Sequence, residues 1–94
     1  MKTLGTVILA AGLGVAVAAA PQAAATESAY LAQLQPKFAN LSSAQLLDEG
    51  YRVCRFLHAG RESSDAIPLV TQDLGVSVPT AYDLVPAAEE QLSC

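Results

Sequence analysis

Seventeen consecutive uncharged residues, Leu4 to Ala20, follow the lone early cation Lys2 and precede the small-residue run Ala23-Ala24-Ala25. A positive start, an apolar stretch and small residues at the minus-three and minus-one positions make the pattern of a secretory signal peptide. Cleavage is expected after Ala25, because a cut after Ala20 would leave Pro21 just beyond it, where peptidases rarely tolerate it. The apolar run reaches the lower edge of a spanning helix at about 1.5 Å per residue. Uncleaved anchors usually run longer and end in charges, so no stable membrane span is expected once the signal is removed. No cysteine adjoins the cleavage site, which argues against a lipoprotein. The chain thus divides into a signal peptide, residues 1–25, and one small exported domain, residues 26–94.

This division changes how composition is read. The hydrophobic content of 52% is inflated by the signal, and the rest resembles an ordinary soluble protein. All nine acidic residues lie beyond Thr26, against Lys37, Arg52, Arg55 and Arg61, a net charge of −5 for that part. Nucleic-acid binding needs clustered Lys and Arg to displace phosphate counterions, and no basic patch or basic helix is present, so that class is set aside.

Apolar residues beyond the signal recur at spacings of three and four, and no stretch alternates strictly, which predicts helices throughout. The first spans Glu27 to Gln35, with Tyr30, Leu31 and Leu34 on one side and Pro36 as its stop. The second spans about Ser43 to Ala59. Ser42 three residues before Gln45 suggests a capping box, and Gly60 supplies the left-handed stop. Its buried arc is expected to hold Leu46, Leu47, Gly50, Val53, Cys54 and Leu57, with Asp48, Glu49, Arg52 and Arg55 on the polar side. Phe56 falls on that polar side with no explanation. Gly50 costs roughly 1 kcal/mol of helix propensity relative to Ala, so its place in the apolar arc implies close approach by a neighbour.

Ser63-Ser64-Asp65 is read as the cap of a third helix ending at Leu74-Gly75, with Pro68 in its tolerant first turn and Ile67, Val70 and Leu74 as core. The fourth begins after Ser77, carries Pro79 in its first turn, and places Ala81, Leu84, Val85, Ala88 and Leu92 on one stripe. Pro86 is expected to kink it or divide it near Val85. The fold class is therefore all-α, a small bundle of about four short helices.

An exported chain with an even cysteine number makes a disulfide the default, here Cys54 with Cys94. It would tie the end of the fourth helix to the second. Two sharper readings stand beside it. Cys54 could act as a nucleophile with His58 one turn away, although no third orienting group is evident. Cys54, His58 and Cys94 could ligate a metal, although a fourth ligand and a close Cys pair are missing. His58 is otherwise a helix-end histidine favoured by the dipole.

The order Tyr30-Leu31, Leu34, Gly50-Tyr51-Arg52-Val53-Cys54, Leu57 and Gly60, then Gly75-Val76-Ser77, Ala81, Leu84-Val85, Ala87-Ala88 and Leu92 to Cys94, resembles the small secreted mycobacterial proteins grouped as "domain of unknown function 732". The resemblance covers nearly all of Ala29 to Cys94, and the helix bearing Gly, Val and Cys before a Gly stop is its most specific part. It implies an export signal, a compact helical fold and a disulfide between the positions matched by Cys54 and Cys94. It implies no reaction. Pro86 departs from the family pattern, as does the lack of a residue after Cys94, where Pro is common.

The expected function is a non-enzymatic secreted or cell-envelope module that binds an extracytoplasmic protein or envelope component. Phe56, Tyr30 and Phe38 are candidate contact groups, each competing with a core-filling role. The alternative is a carrier of a small apolar ligand, which needs a cavity of roughly 300 Å³ or more. An enzyme would need parts that are missing here: there is one His, no Gly-rich phosphate loop, no nucleophile elbow and no HExxH helix. Asp48-Glu49 and Glu89-Glu90 are adjacent carboxylates that point about 100° apart on a helix, and they read as solvated faces. No catalytic residue, cofactor or metal is assigned. Oligomeric state is left open.

Overall fold

The computed structural model describes residues 25–94, so the segment read as a signal lies outside the described residues except for Ala25. Four helices follow one another: α1 over 25–34, α2 Ser43–His58, α3 Ser63–Leu74 and α4 Val78–Gln91. They form a compact all-α bundle closed by a disulfide between Cys54 and Cys94.

Local chemistry sets the helix limits. The capping box at α2 is complete: the Gln45 amide donates to Ser42 Oγ at 3.1 Å, and the Ser42 amide donates to Gln45 Oε1 at 2.9 Å. Replacing Ser42 with Ala is expected to cost about 1 kcal/mol, read as a lower urea midpoint with an unchanged slope. Gly60 (φ 93°) and Gly75 (φ 67°) take the left-handed conformation that follows α2 and ends α3. Ser77 caps α4 by accepting from the Thr80 amide, and Pro79 sits in the first turn.

The cap and first turn expected of α3 are corrected, and of the two outcomes expected at Pro86 the division is not seen. Glu62, not the serines, is the N-cap residue of α3, without a side-chain bond, and Ser63 and Ser64 are already helical. Pro68 therefore lies beyond the first turn. Pro86 does not divide α4, which runs unbroken from Val78 to Gln91. Both prolines are exposed, and so are Ser64 and Tyr82, whose carbonyls lose the N–H donor four residues on. Water can serve those carbonyls, and the helices persist where a buried proline would break them.

The core gathers Tyr30 and Leu34 of α1, Phe38 of the following loop, Leu46, Val53 and Cys54 of α2, Ala66, Ile67 and Val70 of α3, and Ala81, Leu84, Val85, Ala87 and Ala88 of α4. α3 packs most extensively on α4, and α2 meets both. α1 is fixed from inside by the buried Tyr30 hydroxyl, which donates to the Leu46 carbonyl at 2.6 Å, and from outside by Tyr51 donating to Glu27 at 2.7 Å. The exposed Lys37–Asp83 pair at 3.1 Å adds little to stability.

The expected approach to Gly50 is observed. A Cβ at this position would lie 2.6 Å from Tyr30 Oη and 2.6 Å from Leu92 Cδ1. The missing side chain is what lets α1 and the end of α4 converge on α2. Glu49, in contrast, does not face solvent with Asp48: it is buried, at 6% exposure. It flanks Val53 on the edge of the apolar arc, and α3 covers that edge.

Candidate functional site

The aromatic side chains expected to form contacts are largely spent on the core. Tyr30 and Phe38 are buried. Phe56 is half-buried against the core, and the Arg61 guanidinium lies 5.5 Å from its ring centroid, a cation–π contact that covers its outer side. The disulfide uses both thiols, so Cys54 is neither a free nucleophile beside His58 nor a thiolate metal ligand. Among the described residues no group of three or more His, Cys, Asp and Glu is placed to hold a metal ion. No helix among them is long and apolar enough to cross a membrane.

A different surface emerges on α4. Its core stripe turns Ala81, Leu84, Val85 and Ala88 inward, while Val78 and Tyr82 stand 52% and 58% exposed. These two and Pro86 are spaced by four and form one exposed apolar line along the helix. The line borders a half-open groove of about 140 Å³ between α3 and α4. Ile67, Val85, Pro86 and Tyr82 make its apolar walls, and Ser63, Ser64 and Glu89 complete its lining. Ser63 Oγ donates to the Glu89 carboxylate, which ties the first turn of α3 to the last turns of α4.

The surface that the groove offers is almost wholly apolar, since the Ser63 hydroxyl and the Glu89 carboxylate bond each other, so it suits an apolar group. The volume admits about one side chain, and it falls below the roughly 300–1,000 Å³ of small-molecule pockets. Sequence reading missed this surface because Pro86 was expected to kink or divide the helix. Once α4 runs through it, the four-residue spacing of Val78, Tyr82 and Pro86 becomes a continuous line.

A second cluster lies between α2 and α3. Arg52 Nε is 2.9 Å from Asp73 Oδ2. Burial, and then the hydrogen bond and like charge of Asp73, push the Glu49 carboxyl up to about 8, with Arg52 opposing. Its Oε2 has no hydrogen-bond partner. Burial and the neighbouring Glu49 hold the Tyr30 hydroxyl well above the ordinary tyrosine range.

Compared with known protein families, curated proteins and solved structures, the chain matches none.

Proposed function

We propose that this chain is an exported, non-enzymatic binding module that takes a protein or envelope component on its α3–α4 face. The observation that carries this reading is the exposed line Val78, Tyr82 and Pro86 beside an apolar-walled groove, in a domain whose other large apolar groups are mostly covered. Aromatic side chains at such a place are the usual anchors of interfaces, and neighbouring polar groups give a rim. The partner group that fits the groove is one aliphatic or aromatic side chain. Export is supported by the residue pattern of 1–25, and kinship with the domain-of-unknown-function family by residue order.

A photo-crosslinking phenylalanine analogue placed at Tyr82, in cells exporting the protein, tests this reading against the same group at exposed Ala44 on α2. A discrete adduct from position 82 and none from position 44 is expected. No adduct at 82, or equal labelling at both positions, would contradict it.

A further inference from the structure

We infer that Glu49 and Asp73 form a proton-sharing carboxyl pair that fastens α3 to α2, so that the domain holds a proton on folding and loosens as its surroundings turn alkaline. The inference stands first on placement. Glu49 comes from α2 and is 6% exposed, and one of its oxygens, Oε2, finds no donor. A neutral acid tolerates such an oxygen at modest cost, whereas a buried carboxylate without a donor is much more expensive. Asp73 comes from the last turn of α3 and lies 2.9 Å from Arg52, which stands about one turn along α2 from Glu49, so this ion pair brings the Asp73 carboxyl to the Glu49 side of α2. Two carboxyl groups can share a hydrogen bond there only if one of them carries a proton.

The surrounding charges decide which one. Arg52, on the same helix as Glu49, lies 2.9 Å from Asp73 and pairs with it rather than with Glu49. The titratable and charged groups acting on Glu49 are therefore Asp73 from α3, Arg52 from α2 and, from α1, Tyr30, whose hydroxyl is occupied by the Leu46 carbonyl. Among the described residues, α4 contributes none to this set. Glu49 is left as the donor and Asp73 as the acceptor, a hydrogen bond with one ionised partner that crosses between two helices.

The sign of the pH effect follows from linkage. The folded protein keeps the Glu49 proton up to about 8, while the unfolded chain releases it near the ordinary 4.5. Between those values the folded state binds more protons, so its stability is fullest below 4.5 and is lost as pH rises toward 8. This direction is opposite to that of a carboxylate held by a salt bridge.

The test is the urea unfolding constant of the purified protein at unit steps from pH 5 to pH 9, for wild type, Glu49→Gln and Asp73→Asn. The wild-type constant is expected to rise with pH, approaching the tenfold per unit that release of one proton allows, and to level off above about 8. Glu49→Gln keeps the donor without the titration, and its profile is expected to be flat in the same window. Asp73→Asn removes the like charge, so its rise is expected to level off at a lower pH. A wild-type profile as flat as that of Glu49→Gln, a rise retained by Glu49→Gln, or a plateau unmoved in Asp73→Asn would each overturn the pair.

Discussion

Removing the bridge with Cys54→Ala and Cys94→Ala together is expected to lower the domain's melting temperature by about 15–30 °C, enough to leave much of it unfolded at 37 °C. The bond joins residues 40 apart in sequence. Chain-entropy reasoning assigns such a closure about 4 kcal/mol, against the roughly 3 to 5 kcal/mol that a core of this size supplies alone. The fold works to make this closure. Cys54 lies on the buried face of α2, and Leu92 buries against Gly50 at the end of α4. Ser93 then adopts a left-handed φ of 63°, which turns Cys94 back onto α2. A non-glycine residue in that region costs roughly 1–2 kcal/mol, which the bridge and the Leu92 contact must offset. Thermal unfolding followed by circular dichroism measures the loss; a shift below about 5 °C would show that the apolar core is sufficient by itself.

The second large effect is expected at Gly50. An alanine on an ordinary helix face would gain about 1 kcal/mol of propensity over glycine. Here its methyl would sit 2.6 Å from Tyr30 Oη, 2.7 Å from Tyr30 Cζ and 2.6 Å from Leu92 Cδ1. The tyrosine cannot retreat without weakening its 2.6 Å bond to the Leu46 carbonyl. Overpacking and an unpaired buried hydroxyl each cost about 1–3 kcal/mol, so Gly50→Ala is expected to destabilise by about 2 kcal/mol despite the propensity gain. Urea unfolding of Gly50→Ala, Tyr30→Phe and the double variant checks the cause. The Gly50→Ala penalty should shrink in the Tyr30→Phe background, where the ring can shift without stranding a hydroxyl. A penalty of equal size in both backgrounds would place the cost elsewhere.

These two sites were legible in the sequence because they depend on strong local rules. Helix periodicity set Cys54 and Gly50 on the inner arc of α2, and the Ser42–Gln45 and Gly60 signals framed that helix to within a residue. Every residue of the expected α4 stripe is buried, and Ala87 joins it. What escaped lies where an arc is wider than its apolar letters. Glu49 and Phe56 are seven residues apart and share one line of α2, the flank on which Arg52 reaches Asp73 of α3. In a bundle this short, α2 touches elements on three sides, so residues that read as polar-facing are drawn under cover. One is made tolerable by a shared proton and the other by the Arg61 contact. The exposed line on α4 escaped for another reason. Whether a proline ends a helix depends on exposure, and exposure at Pro86 is decided by how α3 and α4 pack.

The most direct test of an exported module closed by one disulfide is the intact mass of the protein recovered from the medium or the cell envelope, alkylated with and without prior reduction. The account predicts a mass beginning at Thr26, with no alkylation until the protein is reduced and two additions afterwards. A mass that retains residues 1–25, or two thiols alkylated without reduction, would contradict it.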